Sequence, residues 1–261
     1  MIRRRSSSRR TSRGIAVVVA TVAALVALPA CSSSKHGTVE LRVLAASSLT
    51  ETFTQLGHDF EHDHPGVKVT FSFGGSSGLA QQLVAGAPAD VFAAASNATM
   101  KTVQDANLLA GAPVTFARNR LAVAVPPGST KITSYADIAK PGITLAICAA
   151  EVPCGAAAQA LFTATNLTPH PATEEQDVKS VLTKVELGEA DAGVVYVTDV
   201  KSAGTKVGSV PVPDVKEAIA TYPIAALSGS KHADVARELV AYLAGPHGEQ
   251  LLQAAGFLPP S

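Results

Sequence analysis

Four short segments place a small or backbone-rich turn directly before a stretch with helical spacing: Ser47-Ser48, Ser76-Ser77, Pro153-Cys154-Gly155 and Asp177-Val178. A helix start presents N–H groups that have no partner within the helix, together with a partial positive charge. Several such starts that converge can hold an anion without any cationic side chain. Each segment also has an ordinary structural role open to it. Ser48 with Glu51 matches the S-x-x-E capping box, and Asp177 is a common N-cap type. The two roles are compatible, because a capping serine sits where an anion would bind.

Other chemistries lack their residues. A hydrolase using Ser48 or Ser76 would call for a G-x-S-x-G elbow, and none is present. There is no P-loop either. His58 and His62 have the i, i+4 spacing of a metal pair, but the run ends at Pro65-Gly66 and reads as a solvated helix end. Glu174, Glu175 and Asp177 read as a cap plus a surface face. The expectation is a binding protein rather than an enzyme, with no cofactor and no directly coordinated metal cation.

The elements that would position these turns alternate along the chain. Val39 to Ala45 reads as a strand, Leu49, Phe53, Leu56 and Phe60 recur at helical spacing, and Val67 to Phe73 alternates as a strand. Gly74 to Gly78 is a turn, Leu79 to Ala85 a helix and Ala89 to Ala94 a short buried strand. A second series follows: strands at Leu121–Val125 and Ile143–Ile147, helices at Ala156–Phe162 and from Asp177, then strands at Ala192–Val197 and Thr221–Leu227. Thr198-Asp199 caps the short helix after the first of these two strands, and two helices close the chain, around Val235–Leu243 and Gln250–Ala255. This is an α/β series with crossover helices. In such sheets the loops at the carboxyl ends of the strands gather at one crevice.

The first 30 residues read as a processing segment. Arg3, Arg4, Arg5, Arg9, Arg10 and Arg13 form a basic region, and Gly14 to Leu28 is an apolar run of 15 residues, short for a bilayer span. Leu28-Pro29-Ala30-Cys31 resembles a bacterial lipobox, which would make Cys31 the lipidated N-terminus. The alternative is an anchor that is never cleaved. Ser12 stands where a twin-arginine signal wants a bulky apolar residue, so ordinary secretory export is expected. Residues 31–38 then form a tether, and about 230 residues remain after the leader. The 21 basic and 21 acidic residues cancel, but six of the arginines lie in the leader, so the mature part is mildly acidic and carries no nucleic-acid footprint. With Cys31 assigned to lipid, Cys148 and Cys154 remain as an even pair in an oxidising compartment, with Pro153 stiffening the turn between them. A small disulfide loop is expected, and two free thiols are the alternative.

Several segments carry a family resemblance: Ala45-Ala46-Ser47-Ser48-Leu49-Thr50, Ser72-Phe73 through Ser76-Ser77-Gly78-Leu79, Ala85-Gly86-Ala87-Pro88-Ala89-Asp90-Val91-Phe92, Val152-Pro153-Cys154-Gly155 and Gly193-Val194-Val195-Tyr196. In this order, over about residues 39 to 259, they look like the periplasmic molybdate-binding proteins of ABC importers. The resemblance implies a two-lobed periplasmic-binding-protein fold of type II, each lobe a mixed sheet flanked by helices. Lobe 1 would span 39–118 plus 228–261. Lobe 2 would span 119–227, including hinge crossings at Asn119–Val125 and Thr221–Leu227.

The resemblance also implies the contacts. Ser48 and Ser76 would donate from hydroxyl and backbone, Cys154 and Val178 from backbone N–H, and Tyr196 from its phenol. The ligand would be molybdate or tungstate, and the partner an ABC permease. The protein would be a monomer, held outside the cell membrane by its lipid alone. Sulfate is the alternative ligand. Phosphate is disfavoured, because none of the five contacts is a carboxylate that could accept the ligand's proton.

Overall fold

The computed structural model describes residues 38–261. The signal segment, Cys31 and nearly all of the tether lie outside the described residues. Seventeen helices and strands follow in chain order: β1 (Val39–Ala46), α1 (Thr50–Asp63), β2 (Val67–Gly74), α2 (Ser76–Val84), β3 (Val91–Ala93), α3 (Asn97–Asp105), β4 (Val114–Val125), β5 (Leu145–Cys148), α4 (Pro153–Ala164), β6 (Thr173–Glu175), α5 (Val178–Glu186), β7 (Ala192–Tyr196), α6 (Val197–Ala203), β8 (Gly208–Pro211), β9 (Ile219–Ala226), α7 (Ala233–Leu243) and α8 (Pro246–Ala255). Among the described residues no helix is long and apolar enough to cross a membrane.

The strands form a mixed sheet in the order β2-β1-β3-β9-β4-β7-β5-β6, with β8 beside β4. Two ladders meet on β4. Its first part, Val114 to Arg120, pairs antiparallel with β9, which also pairs with β3. Its second part, Leu121 to Val125, pairs antiparallel with β7 and β8. The outer strands of each ladder run parallel: β1 with β2 and β3, and β5 with β6 and β7. The two stretches expected as crossings therefore lie on neighbouring strands, and β4 passes from one ladder to the other between Arg120 and Leu121.

Burial explains why these segments hold. Phe53, Leu56 and Phe60, spaced three and four apart on α1, are wholly buried, and α1 packs on β2 and α8. Strands β3, β5 and β7 are buried along their whole length, as strands covered on both faces are. Helix α5 buries Val181 and Val185 against β7, where a Cβ on Gly193 would crowd both valines.

Local details depart from the sequence reading. The Ser48–Glu51 capping box does not form. A 3-10 turn, Ser47–Leu49, precedes α1, whose N-cap is Leu49 without a side-chain bond. Ser48 Oγ instead bonds Tyr222 Oη at 2.8 Å. Ser76 lies within α2 rather than in the turn before it, and Gly75 is the N-cap. Glu174 and Glu175 belong to the short strand β6, and Asp177 caps α5 by accepting the Ser180 N–H at 3.0 Å. Helix α3, strand β8 and the first half of β4 add to the elements expected from the sequence. Of the histidine run, His62 pairs with Asp63 at the surface, and His64 stacks on Phe60 and reaches Glu238.

Candidate anion-binding site

The five expected contact residues sit at the carboxyl ends of strands in both ladders. Ser48 lies in the turn after β1, and Ser76 opens α2 after β2. Cys154 lies in the first turn of α4 after β5, Val178 opens α5 after β6, and Tyr196 ends β7. All five line one narrow cavity.

The backbone is shaped to bring the helix starts together. Gly75 lies so close to the Gln176 carbonyl that a Cβ would collide with it, and the turn before α2 thereby touches the turn before α5. Ser77 Oγ donates to the Glu151 carbonyl at 2.5 Å, tying α2 to the loop before α4. A Cβ on Gly155 would strike the Ala149 carbonyl oxygen. The first turn of α4 therefore lies flat on the chain leaving β5, and a Cys148–Cys154 disulfide closes the same loop. The amides of Ser76, Cys154 and Val178 are in first turns, where no helix carbonyl can reach them.

The polar groups face the cavity in an unusual state. Tyr196 is buried, and among the described residues its hydroxyl has no hydrogen-bond partner. An unpaired buried hydroxyl costs about 1–3 kcal/mol, a cost that a ligand oxygen would relieve. Burial, then the neighbouring Tyr222 and Asp199, pushes the Tyr196 hydroxyl well above its ordinary pKa, so it stays a neutral donor. Among the described residues no Lys or Arg lines the cavity. Its one acid, Asp177, is occupied by Ser180, whose N–H and Oγ lie 3.0 and 2.9 Å from the carboxylate oxygens. Behind Tyr196, Asp199 accepts the Tyr196 N–H at 3.0 Å, and its other oxygen is 3.4 Å from Lys179 Nζ. Burial pushes the Asp199 carboxyl up to about 6, against the pull of Lys179. A larger cavity lined by Arg42, Asp90 and Lys231 offers a contrast. Its buried carboxylate, Asp90, already accepts from the Arg42 N–H at 2.7 Å and from Ser230 Oγ.

Residues 41–258 match the model of the family described as bacterial extracellular solute-binding protein. The chain belongs to that family. Among its relatives, this solute-binding protein is 39% identical to the molybdate-binding protein ModA of Mycobacterium tuberculosis over 95% of this chain and 98% of that one. In structure it matches the periplasmic molybdate-binding protein of Azotobacter vinelandii with a TM-score of 0.75 at 22% identity, covering 85% of this chain and all of that one. It also matches the sulfate-binding protein SubI of M. tuberculosis with a TM-score of 0.74 at 18% identity, covering 85% and 87%. The fold is the α/β periplasmic-binding-protein fold.

Two supporting residues of this solute-binding protein escaped the sequence reading. Tyr222 on β9 and Asn119 on β4 are fully buried, and both reach toward Ser48 through Tyr222 Oη. A signal was present for Tyr222, the lone large polar side chain in the apolar stretch that ends β9, whereas Asn119 is hidden between Arg118 and Arg120. Ala95, whose N–H donates to Ser76 Oγ at 3.1 Å, acts only through its backbone and left no trace in the sequence.

Proposed function

We propose that the protein captures molybdate, with tungstate as a close analogue, outside the cytoplasm and delivers it to an ABC permease. The observation that carries this reading is the unpaired Tyr196 hydroxyl, buried beside the converging starts of α2, α4 and α5 in a small cavity without a cation. Ser48, Ser76 and Tyr196 donate hydroxyls, and the amides of Ser48, Ser76, Cys154 and Val178 complete the cage. Each charge-assisted bond contributes about 1.5–3 kcal/mol. The relatives named for molybdate support the choice of ligand.

In this reading the chain acts as a monomer of two lobes, 39–118 with 228–261 and 119–227, which close on the ligand about β4 and β9. Residues 1–30 direct export, and a lipid on Cys31 holds the tether at the membrane. Replacing Cys31 by Ser would release the protein into the medium, and retention at the membrane would argue against the anchor. Calorimetric titration of the mature protein with molybdate, tungstate and sulfate tests the ligand. The two metal oxyanions should bind at least a hundredfold tighter than sulfate. Sulfate binding as tightly as molybdate would favour a sulfate receptor.

A further inference from the structure

One ammonium group joins three of the segments that line the anion cavity. Lys179 follows Val178 in the first turn of α5. Its Nζ lies 2.8 and 2.9 Å from the two carboxylate oxygens of Glu51, in the first turn of α1 and three residues after Ser48. On its other side it donates to Ser202 Oγ of α6 at 3.0 Å and lies 3.4 Å from Oδ1 of Asp199, three residues after Tyr196. Among the described residues, Glu51–Lys179 is the one ion pair that joins residues 39–118 or 228–261 to residues 119–227. An exposed pair gives up much side-chain freedom to form. Here the Lys179 side chain is mostly buried, and Asp199 and Ser202 hold it from its own side, so little freedom is left to lose when Glu51 reaches it.

We propose that Lys179 is a positioning residue: with Glu51 it clasps the starts of α1 and α5 together beside the cavity and slows release of the bound oxyanion. This rests on the oxyanion reading above. A cleft between the two ladders shares Ser47, Gly74 and Asp177 with the cavity. Lys179 lines that cleft and not the cavity itself, so it acts without touching the ligand. Position and charge make opposite demands on Glu51. Its carboxylate places a negative charge near a dianion, and through space alone its removal would tighten binding. As half of the clasp, its removal lets the two helix starts separate, and binding weakens.

The test measures sodium molybdate binding to the mature protein and to Glu51→Gln, by calorimetry and by stopped flow. The Glu51 side chain is more than half exposed, so the unliganded variant should melt with the parent. It should release molybdate about fivefold faster, the upper range for such a pair, and associate no more slowly. A second background removes the clasp from the other side: Lys179→Met, made together with Asp199→Asn so that no buried carboxylate is left without its cation. Adding Glu51→Gln there should cause no further loss of affinity. Unchanged or slower release from Glu51→Gln, or a further loss in the second background, would overturn the proposal and leave the oxyanion reading standing. Failure of the parent itself to bind molybdate would overturn that reading, and the proposal with it.

Discussion

The two sides of the cavity hold their donors by different means. On the β1–β2 side the expected contacts are serine hydroxyls, each tied from behind by a hydrogen bond: Ser48 with Tyr222, and Ser76 with the Ala95 amide. On the β5–β6 side they are backbone amides in the first turns of α4 and α5, fixed by the Cys148–Cys154 disulfide, by Gly155 and by the Asp177 cap. A hydroxyl can be deleted by one substitution and leaves the chain path intact. An amide cannot be deleted, but it can be displaced by whatever moves the turn. The first side should thus be sensitive to side-chain identity, and the second to backbone shape.

The largest effect separates two adjacent residues on the backbone side. Gly155→Ala forces a Cβ into the Ala149 carbonyl oxygen and must shift the start of α4. Overpacking of this kind costs about 1–3 kcal/mol of stability, occasionally more, and the displaced Cys154 amide should weaken molybdate binding by a hundredfold or more. Thermal melts with calorimetry would show both, and parental affinity in this variant would break the comparison.

Next come the hydroxyls. Ser48→Ala and Ser76→Ala should each weaken binding by roughly ten- to a hundredfold, the equivalent of about 1.5–3 kcal/mol. Tyr196→Phe should cost at least as much affinity as either, because the ligand then loses both the bond and the relief of a hydroxyl that is unpaired in the free protein. That variant should melt slightly higher without ligand.

Opening the disulfide by Cys148→Ala should reverse the pattern. The loop it closes is short, and on the chain-entropy model its loss costs about 2–3 kcal/mol of stability. Cys154 contributes only an amide, so affinity should change by about threefold or less. A large loss of affinity at unchanged stability would mean that the Cys154 side chain itself matters.

The smallest effect is a pH dependence through Asp199. Its folded pKa, about 6, lies above the ordinary carboxylate value of 3.8. Between these values the folded state holds more protons than the unfolded one. This contribution to stability is therefore present below pH 3.8 and lost as pH rises through 6. Protonation also removes a negative charge from behind Tyr196, so molybdate should bind a few-fold more tightly at pH 5 than at pH 7. In Asp199→Asn both trends should flatten.

Helix starts that rest on a local rule were legible in the sequence. Asp177 caps α5 through its own carboxylate, as its type implies. Ser48 broke the same kind of rule because a distant partner, 174 residues away, took its hydroxyl. No local pattern contains that competition. The first half of β4 was hidden because Arg118, Asn119 and Arg120 interrupt its apolar run. It is a strand because β9 pairs with it. Asp90 lies within a family-like segment, and its role became visible only with the fold, where it ties Arg42 of β1 to Ser230. The five expected contacts came from the resemblance of their segments to the molybdate-binding proteins, and all five line one cavity. The closeness of Gly75 to Gln176, which brings the turns of the two ladders into contact, is a three-dimensional fact that no spacing encodes.

The central claim is that one tetrahedral dianion sits in this cavity, held by neutral donors alone. Anomalous diffraction from crystals of the mature protein grown with molybdate measures this directly. A single molybdenum peak should lie in the cavity, with its oxygens within hydrogen-bond distance of Ser48, Ser76, Tyr196 and the amides of Cys154 and Val178. A peak elsewhere, or a Lys or Arg side chain in contact with the oxyanion, would contradict the account.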